Sequence, residues 1–234
     1  ARSLNDTYII TNQPASCHNT SHTLKKTEPF IINIGRSLGS GGRAIGHILA
    51  KEFNIAYYDR EILNLAAKES GFCPEVFERS DEKNRFLSTL GNIIPFFGGG
   101  STYYNNELSN ENLFRLQSEA IRKAAADHSC IFIGRCADYV LRDFPRCVNV
   151  FITADMADRI SSVVKRNGCT ENEARSIIER GDKERADFYN FYSSGTWGAA
   201  STYHLCINSS VLGIDRTAEY IKQFIIDKLG LKEE

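Results

Sequence analysis

No apolar run in the 234 residues approaches the ~20 that a membrane-spanning helix needs. Charge of one sign is not in excess either: 28 basic residues stand against 29 acidic ones, for a net charge of −1. A chain without a basic footprint is not expected to take nucleic acid as a partner. The seven cysteines are odd in number and contain no C-x-x-C pair. Cys130, Cys136, Cys147 and Cys206 lie in or beside apolar runs, where a thiol packs as a small hydrophobe. Reduced cysteines of this kind point to the cytoplasm, and the N-terminus lacks the apolar core of a signal peptide. Cys17, His18 and His22 imitate a metal site, but such a trio in a polar tail is usually incidental. Internal repeats, a Ser-His-Asp grouping and an isolated acid pair are also missing.

What is present is concentrated between Phe30 and Phe53. Phe30 to Ile34 is a short apolar, β-branched run of the kind a fully buried parallel strand shows. Arg43 to Phe53 places Ile45, Ile48, Leu49 and Phe53 on one helical face. Between the two, Gly35, Gly39, Gly41 and Gly42 are interleaved with Ser37 and Ser40. Glycines let successive N–H groups turn inward, and a helix starting there adds unpaired N–H groups and its positive dipole end. Strand, glycine loop and helix, with a cation at the helix start, make a phosphate cradle.

The cradle departs from the Walker pattern G-x-x-x-x-G-K-[ST]. Counted back from Gly42, Ser37 takes the first glycine position, Arg43 the lysine position and Ala44 the hydroxyl position. With Gly39 and Gly41 leading, Gly42 falls where the lysine belongs. Neither frame supplies a lysine, and arginine does not replace one atom for atom.

Residues 1–28 read as an irregular extension, and 29–234 as one domain. Asn54 to Tyr58 is a second strand ending at Asp59, which either faces the ligand crevice or caps the helix that follows. Residues 71–110 are the least regular part. Their Gly-Gly-Gly-Ser-Thr-Tyr-Tyr stretch suits a flap, a subunit contact or plain disorder. After a helix over Glu111–Asp127, Ser129 to Ile133 forms a third strand ending in Gly134-Arg135. Arg135 there serves either a phosphate in the crevice or an internal salt bridge to Asp138 or Asp143. Val148 to Ile152 is a fourth strand, followed by a helix from Asp155 that Gly168 can cap. Thr170 and Glu173 predict a capping box for the next helix. That helix begins apolar and becomes densely charged through Arg180 and Arg185, as either a solvated face or a lid carrying arginines would. A fifth strand over Tyr203–Asn208 and a closing helix over Asp215–Leu229 complete an α/β fold with a parallel sheet covered on both faces. Two insertions are expected, near 59–110 and 165–200.

The segments IGRSLGSGGRAIGHILAKEF, AYYDREIL, IGRCADYVL, IIERGDKERADFY and YHLCINSS resemble the cytidylate kinase-like group of P-loop nucleoside monophosphate kinases. The likeness runs from about Phe30 to Leu229. It implies a three-layer P-loop NTPase fold with a five-stranded parallel sheet, a helical monophosphate-binding insertion and a lid. It also implies transfer of the ATP γ-phosphoryl to CMP or dCMP with Mg²⁺. Carried over, Gly39, Ser40, Gly41, Gly42, Arg43 and Ala44 hold ATP, with Ser40 the one candidate magnesium ligand. Asp59 falls beside the nucleoside and Arg135 on the acceptor phosphate, while Arg43, Arg180 and Arg185 are the candidate catalytic cations. Cys136 stands where the group's Gly-Arg-Asp segment has its aspartate.

The expected activity is therefore a small-molecule kinase with nucleotide substrates and neither a nucleic-acid nor a membrane partner. Two alternatives stay open: a nucleotide-binding regulatory module without turnover, and a P-loop kinase for another small acceptor. Monomer and homodimer are equally compatible with the sequence.

Overall fold

Ile31, Ile32 and Ile34 are wholly shielded from solvent, as a strand covered on both faces requires. They belong to β1 (Ile31–Arg36), the middle strand of the computed structural model, which describes residues 28–59 and 110–231. The sheet order is β2-β3-β1-β4-β5, with β2 Ala56–Tyr58, β3 Cys130–Ile133, β4 Cys147–Thr153 and β5 Leu205–Asn208. Every neighbouring pair is parallel, and Ile31 sits opposite both Cys130 and Cys147.

Side chains alternate across the sheet, so β1 feeds two cores. Ile31 and Phe132 pack with Leu116, Ala120 and Ile121 of α2 (Asn110–Asp127) and Ala137 and Val140 of α3 (Ala137–Val140). Ile32 and Ile34 pack on the other face with Ile45 and Leu49 of α1 (Gly42–Glu52) and Ile221 and Ile225 of α6 (Ser209–Leu229). Thus β1 sends its loop to one face while β3 sends its loop to the other. The crevice between their carboxyl ends is where α/β sheets bind ligands.

A third core lies inside the hairpin of α4 (Met156–Asn167) and α5 (Glu171–Tyr192), where Ile160, Val163, Ala174 and Ile178 meet. Gly168 caps α4 in the left-handed region at φ 65°. The capping box forms as expected: Thr170 Oγ1 accepts from the Glu173 N–H at 3.3 Å, and Glu173 Oε2 accepts from the Thr170 N–H at 2.8 Å.

Most element ends shift by one or two residues from those expected, and two differences are larger. A short helical turn from Ser209 precedes the helix expected from Asp215, and Gly213 (φ 74°, ψ 174°) breaks α6 between the two. The four-residue α3 follows a left-handed turn that periodicity does not reveal. Residues 1–27 of the extension expected over 1–28, with Cys17, His18 and His22, lie outside the described residues, as does nearly all of the insertion near 59–110. Among the described residues, no helix is long and apolar enough to cross a membrane.

Candidate active site

Strand β1 ends in Arg36, and the chain turns through Ser37 to Gly41 before α1 begins at Gly42. Gly39 (φ 85°) and Gly41 (φ 77°) take left-handed conformations that side chains disfavour. A Cβ on Gly39 would also come within 2.8 Å of the Arg159 carbonyl oxygen. The turn is fixed from inside: the Ser40 N–H and hydroxyl both donate to the Ser37 carbonyl, at 3.3 and 2.9 Å. From α6, the Ser209 hydroxyl donates to the Ser40 carbonyl at 2.8 Å. A pre-set loop opening onto a helix N-terminus is a place for phosphate.

The apex is held by the α4–α5 hairpin. The Leu38 N–H donates to Asp182 Oδ1 at 2.7 Å, and Arg159 Nε donates to the Leu38 carbonyl at 2.8 Å. Arg159 and Asp182 pair with each other, closing the ring, and Arg185 Nη1 reaches Asp182 Oδ1 at 3.3 Å.

Asp59, just beyond β2, forms an ion pair with Arg43 and lies 3.8 Å from Arg36 Nη2. Burial pulls the Arg36 guanidinium down to about 10, and Arg185, Arg135 and Arg43 push the same way while Asp59 opposes. Four arginines from β1, α1, the β3 loop and α5 therefore share one electrostatic neighbourhood with Asp59. Arg36, 17% exposed, is more buried than Arg43 and Arg185, and a positive charge withdrawn from water is stabilised by an anion.

Gly134, Arg135 and Cys136 are all left-handed, at φ 71°, 63° and 55°. A non-glycine residue held there costs of order 1–3 kcal/mol and persists only where the surroundings over-determine it. The turn carries Arg135 into the crevice and buries Cys136, whose thiol burial pushes up to about 12. Asp138, on α3, accepts the Tyr189 hydroxyl of α5.

Of the residues expected from sequence, the structure brings Gly39, Ser40, Gly41, Gly42, Arg43, Asp59, Arg135 and Arg185 to one crevice. Ala44 sits exposed in the first turn of α1. Arg180 stands apart: it is 71% exposed and 4.0 Å from Glu184 on its own helix. Arg36, Arg159 and Asp182 escaped the sequence reading. The signal for Arg36 was its place at the carboxyl end of the first strand, the same criterion that singled out Arg135.

The glycine loop and arginines fit a nucleotide's phosphate chain. Among the described residues no His, Cys, Asp and Glu grouping could hold magnesium, and the Ser40 hydroxyl donates to the Ser37 carbonyl. Phosphate oxygens and water, which supply most magnesium ligands in kinases, would have to carry the ion.

The family model for the cytidylate kinase-like family matches residues 31–211, well over half of the chain. The chain belongs to the cytidylate kinase-like family. Among solved structures it is similar to an uncharacterized protein from Eubacterium ventriosum, with 27% identity over 84% of this chain and 98% of that one, at a TM-score of 0.64. Shikimate kinases from Bacteroides thetaiotaomicron (14% identity, 86% and 99% coverage, TM-score 0.48) and Acinetobacter baumannii (15%, 88% and 97%, 0.48) also match. Among curated proteins, no sequence matches. Membership makes this cytidylate kinase-like chain a P-loop kinase of small molecules, on a parallel five-stranded sheet with helices on both faces.

Proposed function

We propose that the protein transfers the γ-phosphoryl of ATP to a nucleoside monophosphate, with CMP or dCMP as the acceptor. The observation that carries this reading is the convergence of Arg36, Arg43, Arg135 and Arg185 beside the glycine loop. Phosphoryl transfer asks the protein for alignment and charge neutralisation, with little covalent chemistry. Two phosphate-bearing substrates bring more negative charge to one crevice than a neutral acceptor would. Four cations, with the carboxylates of Asp59 and Asp182 among them, suit that load.

The roles divide by element. The loop from Ser37 to Gly42 holds the donor phosphates, and Arg135, leaving β3 on the other side of the crevice, holds the acceptor phosphate. Asp59 ties down Arg43 and faces the acceptor. Arg185, on the α4–α5 hairpin, closes over the transferring group as an arginine finger does; such residues contribute about 10³–10⁵-fold in rate. The coenzyme's contribution is the activated γ-phosphoryl itself, and Mg²⁺ travels with it.

The test is an ADP-release assay with Mg-ATP against CMP, dCMP, UMP, AMP, shikimate and simple sugars. Turnover fastest with a cytidine monophosphate is the expected result. Turnover only with an unphosphorylated acceptor overturns the assignment, and ATP binding without turnover on any acceptor makes the protein a nucleotide-binding module.

A further inference from the structure

Arg36 has a position no Walker loop provides for. Its side chain is 17% exposed, and its nearest described carboxylate, Asp59 at 3.8 Å, is already paired with Arg43. The stem lies against the start of α1: a Cβ on Gly42 would come within 2.7 Å of Arg36 Cβ and 3.0 Å of Cγ. The head lies over Gly134, whose missing Cβ leaves room for Arg36 Nη1. The side chain thus runs from the start of α1 to the end of β3, with its guanidinium at the β3 end.

Gly42 is the position that a Walker lysine occupies when Gly39 and Gly41 lead the motif. No side chain fits there while Arg36 is in place, because the clash is with the stiff base of the arginine, not its mobile end. A lysine at 42 and an arginine at 36 exclude each other. Glycine at 42 and glycine at 134 are then both explained by one side chain.

We propose that Arg36 is the cation that holds the nucleotide's phosphate chain, acting from the end of β1 in place of the lysine that position 42 cannot carry. The planar fork binds two phosphate oxygens at once, where a lysine offers a point charge. Arg43, 49% exposed and paired with Asp59, then serves the acceptor side. The inference rests on the reading of the glycine loop as a triphosphate cradle.

Calorimetry and thermal melting with ATP and with inorganic tripolyphosphate, each with and without Mg²⁺, test it. Arg36→Met removes a buried cation crowded by like charges, so the ligand-free variant should melt no lower than the parent. It should bind both probes about ten- to a hundredfold more weakly, the range for a charge-assisted contact. Gly42→Lys alone should also lose binding, and the double variant Arg36→Gly with Gly42→Lys should regain most of it. ATP affinity within twofold of the parent in Arg36→Met overturns the proposal, as does a folded double variant that does not regain binding. Selective loss of CMP affinity overturns it too, by moving Arg36 to the acceptor. Gly41→Val separates the two levels. If it blocks ATP while Arg36→Met does not, only the role of Arg36 falls; if it binds ATP normally, the cradle reading fails and this inference with it.

Discussion

The Leu38 amide donates to Asp182 Oδ1 at 2.7 Å, so the apex of the glycine loop is fastened to the middle of α5. Arg159 completes the fastening from α4, bonded both to the Leu38 carbonyl and to Asp182. The hairpin that bears Arg185 is therefore wired directly to the loop that would hold ATP. Any movement of α5 is felt at Leu38, and any ligand that rearranges the loop is felt along α5.

Asp182→Asn should loosen this fastening. The amide oxygen can still accept from Leu38, but the mostly buried Arg159 loses its counter-charge. A hydrogen bond to a charged group is worth about 1.5–3 kcal/mol, and a stability loss in that range is expected in urea unfolding. Amide exchange at Leu38 and along 178–190 should rise with it. A variant as stable and as protected as the parent would show that the ring carries no weight.

Arg185 and Arg180 sit five positions apart on one helix, yet their surroundings differ. Arg185 is 28% exposed, bonded to Asp182 and close enough to Arg36 to affect its ionisation. Arg180 is turned to solvent. Arg185→Gln should lower kcat at least tenfold with the melting temperature nearly unchanged. Arg180→Gln should stay within twofold of the parent, as surface substitutions usually alter stability by no more than ~0.5 kcal/mol. Equal effects in the two variants would contradict this division.

The contrast shows where the sequence was legible. The strands were readable because burial on both faces leaves runs such as Cys130–Ile133, with no polar residue to confuse the period. Glycine loop and α1 were readable because their chemistry is local. For Arg36 the strand-end position was legible but the seat of its head was not, because that depends on the missing Cβ of Gly134, about a hundred positions away. Asp182 was hidden for a similar reason. In a run of charges it reads as a solvated face, and only its contact with Arg159 on the preceding helix shows otherwise.

Arg135→Ala tests the acceptor side. The left-handed turn at 134–136 holds this side chain at the end of β3, across the crevice from the glycine loop. Removing it should raise KM for the monophosphate about tenfold or more, as loss of a charge-assisted contact does. ATP affinity should stay within threefold. Weaker ATP binding with an unchanged monophosphate KM would place Arg135 on the donor instead.

Asp138 and Tyr189 join α3 to α5. Burial raises the Asp138 carboxyl above its ordinary value of 3.8, and the Tyr189 hydroxyl and backbone hydrogen bonds only partly oppose that. The folded chain therefore holds this proton more tightly than the unfolded chain does. By linkage, Asp138 favours folding most below the ordinary aspartate range. That contribution is lost as pH rises through the ordinary value to the raised one, and stays lost above it. Asp138→Asn cannot ionise but keeps an oxygen to accept from Tyr189, so it should be more stable than the parent at pH 7. The advantage should shrink as pH falls through the carboxylate range. Tyr189→Phe acts the other way. It strips the charged carboxylate of its donor, costing about 1.5–3 kcal/mol at pH 7, and less at low pH where the acid is neutral. Urea unfolding of the three proteins from pH 7 down to about pH 3.5, bracketing the ordinary aspartate value, reads both slopes. If the Asp138→Asn difference is constant over that range, or opposite in sign at pH 7, Asp138 is not held as a buried acid with a raised pKa.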